Sequence, residues 1–192
     1  MDELSIVVLS LAGCVFSTSA GTKLRSRPAY RAFCSGLRQT GLVPGRLLPA
    51  AAAVLAGAEA VAAAGLLGAA ALAAAGAPWA TAVAESALGT AALLISALTA
   101  GVAVVVRRGT RARCACFGVS SSPLGRVHLA RNLALVAVLG AGLVGSVLAQ
   151  GRPAPAGAAL AAGAGAIAAL LFVQWEELAG LIAPIPTSGS VG

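Results

Sequence analysis

The stretch "RARCACFGVSSSP" places two cysteines, Cys114 and Cys116, one residue apart in a chain built otherwise mainly of Ala, Gly, Leu and Val. A pair at that spacing can close a small, strained disulfide ring, which is more easily reduced than a relaxed structural bridge. Arg107, Arg108, Arg111 and Arg113 precede it. Their charges, and the N-terminus of a helix starting near Ser120–Ser122, would stabilise a thiolate, the species that attacks disulfides. Cys34 is the candidate resolving thiol, and Cys14 is the fourth cysteine. Two other readings stand beside exchange chemistry. The cysteines are incidental small residues, or Cys114, Cys116, Cys34 and His128 bind a metal. A lone Cys-x-Cys lacks the paired spacing of a zinc site, so metal ranks below redox. Spacing alone does not separate redox from incidental.

A second candidate is Glu59, in the middle of the apolar run "LAGAEAVAAAGLL". A carboxylate at such a position is costly unless it is paired or functional. It is read as a proton-handling group, a partner for an arginine or hydroxyl, or a quinone-site residue, against a neutral Glu hydrogen-bonded within the bundle. Glu85 is expected to reach the membrane interface, and His128 and Arg131 to act as interfacial anchors. No Ser-His-Asp set, phosphate loop or dinucleotide fingerprint accompanies them.

The elements that must position these residues follow from composition. The 192 residues are 59% hydrophobic and only 10% charged, whereas soluble domains average about a quarter charged. The long apolar runs define an all-α, polytopic membrane helix bundle of four to five transmembrane helices. The net charge of +7 comes from arginines in short loops, which argues for membrane orientation and against a nucleic-acid partner. The expected spans are Leu4–Ala20 (extendable to Leu24), Leu47–Ala75, Trp79–Val106, Leu129–Ala149 and a weaker Ala156–Val173, with Trp79 as an interfacial aromatic. The first is read as a retained helix, because Asp2 and Glu3 precede it where a signal peptide carries positive charge. Between the first two spans, Tyr30, Phe33 and Leu37 recur at spacings of three and four behind Pro28. They define a short amphipathic helix lying on the membrane or capping the bundle.

Gly65 and Gly68, Ala137, Ala141 and Gly145, and the parallel pair Gly142 and Ser146 are candidates for close helix packing. Loop charge orients the bundle. Lys23, Arg25, Arg27, Arg31, Arg38 and Arg46 follow the first span, and Arg107, Arg108, Arg111, Arg113 and Arg126 follow the third, against Arg152 alone in the other loops. The positive-inside rule then places the N-terminus outside and the C-terminus and Cys-x-Cys loop on the cytoplasmic face of the cell membrane. The loops carrying Cys34, Cys114 and Cys116 share one face, and Cys14 lies toward it.

The run "SAGTKLRSRPAYRAF", the Glu within "LAGAEAVAAAGLL", "CACFG" and "HLARNLALVAVL" together resemble the MauE family of DoxX-like membrane proteins. The resemblance covers about residues 1–150, as a four-helix membrane domain. Residues 151–175 then add a fifth transmembrane helix, and 176–192 a polar, disordered tail. In it, Lys23, Glu59, Cys114, Cys116, Phe117, Gly118, Arg131 and Asn132 occupy motif positions. It implies thiol–disulfide handling with a thioredoxin-like partner, in maturation of a disulfide-bearing client. In the type family that client is the small subunit of methylamine dehydrogenase. The alternatives are a non-catalytic assembly factor or scaffold with dispensable cysteines, and a small-solute or quinone carrier using Glu59. Disulfide formation in an exported client needs thiols on the oxidising side, which conflicts with a cytoplasmic Cys-x-Cys loop.

Overall fold

The computed structural model describes residues 2–109, 125–148 and 154–175. Among them are six α-helices: α1 (Glu3–Leu24), α2 (Arg27–Gln39), α3 (Leu48–Ala74), α4 (Ala80–Arg107), α5 (Arg126–Leu148) and α6 (Pro155–Val173), with one 3₁₀ turn at Gly45–Leu47 before α3. Five of them, all but α2, are long and apolar enough to cross a membrane. These match the five expected spans, including the Ala- and Gly-rich last one. The segment carrying Cys114 and Cys116, and the tail from 176 to 192, lie outside the described residues.

Local chemistry sets the helix ends. Asp2 caps α1, its Oδ1 accepting from the Ser5 amide at 2.9 Å and the Ser5 hydroxyl at 2.6 Å. Those bonds favour the ionised form and hold the Asp2 carboxyl below its ordinary range. Ser26 caps α2 by accepting from the Ala29 amide, and Pro28 occupies the first turn, where no backbone donor is lost. The α3–α4 reversal uses Gly76 at φ +69°, a conformation that costs a side-chain-bearing residue energy.

The helix at the centre is α1. It is 61% buried along its most apolar window, against 22–33% for the other four spans. It packs along α6 and α3 and touches α5, while α4 joins α3 to α5 on the far side. Ile6, Leu9, Ala12, Val15 and Phe16 form its share of the core. Outward positions such as Val54, Leu93, Val144 and Leu160 stay exposed, as a lipid-facing surface requires.

Small residues set how closely the helices approach. A methyl group on Gly165 of α6 would strike the Val7 carbonyl and lie 3.0 Å from the Leu11 amide of α1, so two backbones touch there. On Gly142 of α5 it would lie 3.1 Å from Val8 Cβ, and on Gly13 of α1 it would lie 2.8 Å from Leu67 Cγ. Of the expected packing residues, Gly142 and Ser146 are buried and Gly65 faces Ala87. Gly68 meets no neighbour, and Ala137 and Ala141 point outward. The buried face of α5 is the one bearing His128, Arg131, Leu135, Leu139, Gly142 and Ser146.

The amphipathic helix forms as its spacing predicts. Phe33 of α2 packs with Ala52 and Ala56 of α3, joined by Tyr30, Cys34 and Leu37. Arg31 and Arg38 stay exposed. Since α1 ends at Leu24 while α3 begins with the turns bearing Ala52 and Ala56, α2 lies across the end of α1 and roofs that end of the bundle.

Candidate functional site: a buried ion pair beneath the amphipathic helix

Helix α1 does not stop at Ala20. It continues one more turn, and that turn carries Lys23 inward, four residues after Ser19. The facing helix α3 runs antiparallel, with Gly13 against Leu67 and Lys23 against Glu59. The Lys23 ammonium pairs with Glu59 Oε2, and the two side chains are only 1% and 4% exposed. Ser19 completes the set: Lys23 Nζ donates to its hydroxyl oxygen at 2.9 Å, and that hydroxyl donates to Glu59 Oε2 at 3.1 Å. From α2 above, the Phe33 ring lies 5.0 Å from Lys23 Nζ, within cation–π range. Three elements thus enclose one salt bridge: α1 and α3 supply it, and α2 covers it.

Two expectations change here. Lys23 is not an orienting loop charge, because it points into the bundle and is nearly fully buried. Of the alternatives open for Glu59, partnership with a hydroxyl is met by Ser19, and the charged partner is an ammonium rather than an arginine. Its partner was hidden because Lys23 was counted among the loop charges, although the span was extendable to Leu24 and a lysine four residues after a serine is a readable helical pair.

His128 and Arg131 are likewise not surface anchors. They are 4% and 3% exposed, on the inward face of α5. The spacing from His128 to Ser146 already carried that signal, since these polar residues share a helical face with Leu135 and Leu139. Ser5 faces Gly145 and Val8 faces Gly142, so α5 runs antiparallel to α1. That register carries Arg131 to the depth of Ser19. The buried ionisable side chains Lys23, Glu59, His128 and Arg131 therefore gather at one end of the bundle. Glu85, half-buried near the start of α4, belongs to the other end.

The thiols divide. Cys34 sits half-buried on α2, at the same end, on the face carrying Phe33. The Tyr30 phenol lies beside it, and desolvation together with the neighbouring thiol pushes that phenol above its ordinary range. Cys14 is half-buried near the middle of α1, against the main core. Cys114 and Cys116 lie outside the described residues, but α4 and α5 flank their segment. The end of α4 approaches the α2–α3 connection, where Gly101 lies near Leu42, and α5 begins at the Lys23 end. Among the described residues, no group of three His, Cys, Asp or Glu side chains converges as a metal site would.

An all-helical bundle with five membrane-length helices and a buried charge pair under an interfacial helix is a polytopic membrane protein. Its residues 1–145 match the family described as methylamine utilisation protein MauE, and the chain belongs to that family. The matched region spans α1 to most of α5 and leaves α6 beyond it. No curated protein and no solved structure matches the chain.

Proposed function

We propose that this chain is a membrane thiol–disulfide exchange protein working at the end of the bundle where Lys23 and Glu59 are buried. In this reading the Cys114–Cys116 disulfide takes an electron pair from the dithiol of a thioredoxin-like partner. One partner thiolate attacks a sulfur of the pair, a mixed disulfide forms, and the other cysteine leaves as a thiolate. The second partner thiolate then resolves the mixed disulfide, so the partner is oxidised, the pair is reduced, and two protons are transferred. Cys34 serves as a resolving thiol within the chain. Glu59, held by Lys23 and Ser19, is assigned to proton handling for these steps, and a quinone is a candidate electron acceptor. The client assigned here is a disulfide-bearing protein such as the small subunit of methylamine dehydrogenase, a reading supported by the family's link to methylamine utilisation. By loop charge this end faces the cytoplasm of the cell membrane, so the partner meets it there or the protein relays electrons between compartments.

One observation carries the reading. Cys34 and the helices flanking Cys114 and Cys116 meet at the end that also buries an ion pair, and ionisable groups inside a membrane mark functional sites by default. The test is to trap the exchange intermediate. A Cys34→Ser/Cys116→Ser variant offered the oxidised, disulfide form of the partner lets the Cys114 thiolate attack that disulfide, the reverse of the step above, and should accumulate a mixed disulfide that reductant dissolves. Full activity of this variant, with no trapped adduct, would rule the mechanism out. Labelling with a membrane-impermeant thiol reagent, with and without reductant, reports the face and redox state of the pair in the same preparation.

A further inference from the structure

The junction of α1 and α2 forms an open groove lined by Leu24, Ser26, Arg27, Tyr30 and Arg31. Its level in the bilayer follows from α1. The helix has 22 residues, which at 1.5 Å per residue is about the thickness of the hydrocarbon core. One end of α1 therefore lies at each interface, and the groove sits where hydrocarbon gives way to headgroups. Its lining changes character across that boundary. Leu24, 52% exposed, faces outward at the last turn of the span. Arg27 and Arg31 stand one helical turn apart on α2, both exposed.

Among the described residues these guanidinium groups have no partner of opposite charge. Among the described residues no carboxylate lies within salt-bridge reach of Arg25, Arg27 or Arg31. The only carboxylate at this end among those residues is Glu59, which Lys23 occupies. Asp2 and Glu3 lie at the opposite end of α1, and Glu85 lies near the start of α4. Two arginines at helical spacing, with no carboxylate partner among the described residues, present a forked donor set suited to a phosphate. The exposed leucine below them and the flank of the Tyr30 ring offer apolar surface at acyl-chain level.

We propose that this groove is a binding site for one anionic phospholipid. Arg27 and Arg31 clasp its phosphate, and an acyl chain runs down past Leu24 along α1. The lipid would fasten the α1–α2 corner and so hold the roof over Lys23 and Glu59. The site differs from the thiol chemistry proposed above, and either can fail without the other.

The experiment uses the full chain in non-ionic detergent, titrated with phosphatidylglycerol, phosphatidylcholine or inorganic phosphate, with thermal unfolding as readout. Phosphatidylglycerol should raise Tm saturably, and the other two should not. Arg27→Gln/Arg31→Gln should weaken the half-saturating concentration about 30-fold, taking about 1 kcal/mol per arginine near an anionic headgroup. Arg38→Gln, on the same helix but outside the groove, should leave it unchanged. An equal response of the double variant or of phosphatidylcholine overturns the proposal, and an equal response to inorganic phosphate reduces it to a phosphate site. If the double variant does not fold, native mass spectrometry of the wild-type chain decides. Retention of one phosphatidylglycerol but no phosphatidylcholine supports the site, and equal retention overturns it.

Discussion

The two ends of α1 are made of the same helix and do different work. Toward its N-terminus, Val7 and Leu11 meet Gly165 of α6 through backbone atoms and the Val8 side chain meets Gly142 of α5, and the buried polar groups Ser5, Ser10 and Ser146 carry no charge. Toward its C-terminus, Ser19 and Lys23 face Glu59 of α3, while α5 turns His128 and Arg131 inward. Contact between small residues is how helices stabilise one another where lipid is as apolar as protein. A buried ion pair is weak evidence for stability, because desolvation offsets much of the attraction. The comparison teaches that one end is organised for cohesion, while the other gathers the buried charge on which the proposed chemistry rests.

Substitutions can break that comparison. The largest effect is expected from Lys23→Met, which leaves the Glu59 carboxylate buried without its counter-charge. Removing one partner of such a pair costs about 3–5 kcal/mol, seen as loss of folded protein in detergent or a large drop in Tm. The double change Lys23→Met/Glu59→Leu should recover most of that stability while thiol exchange stays impaired. Full recovery of both would make the pair merely structural. Next comes Gly165→Val, whose side chain would meet the Val7 carbonyl. Overpacking of this kind costs about 1–3 kcal/mol, and per folded molecule the exchange activity should be unchanged. Ser19→Ala removes a hydroxyl shared by Lys23 and Glu59. Hydrogen bonds to charged groups are worth about 1.5–3 kcal/mol, and a deficit well below that, measured by thermal unfolding, would show that the pair alone holds this end.

The smallest effect belongs to the cohesive end. Asp2→Ala removes the α1 cap and should cost about 1 kcal/mol. The Asp2 carboxyl is held below its ordinary range when folded, so its contribution is fully present above the unfolded value. It fades as pH falls through the lowered folded one. An acid titration of Tm in wild type and Asp2→Ala should therefore converge at low pH and separate above it.

How much of this was legible in the sequence differs by residue. The spans were readable because about 20 apolar residues in a row admit little else. Tyr30, Phe33 and Leu37 gave α2 and its buried face, since one amphipathic period fixes both. Glu59 was visible as a misplaced carboxylate. Its partnership with Lys23 was not, because loop charge and buried charge use the same residue types and only the last turn of α1 tells them apart. The backbone contact at Gly165 was beyond reach for a different reason: in a chain with 24 glycines, spacing alone cannot say which of them meet a neighbour.

The position of α6 has a consequence for how the molecule is made. Val7 and Gly165 touch although they are far apart in the chain, so α1 receives one of its closest neighbours from a helix synthesised well after it. Until α6 arrives, one flank of the central helix must be held by lipid, by the insertion machinery or by another protein. Loop closure over such a separation is entropically slow though thermodynamically modest. Assembly should therefore show a late step, in which α1 passes from a protease-sensitive to a protected state only once Pro155–Val173 has been inserted.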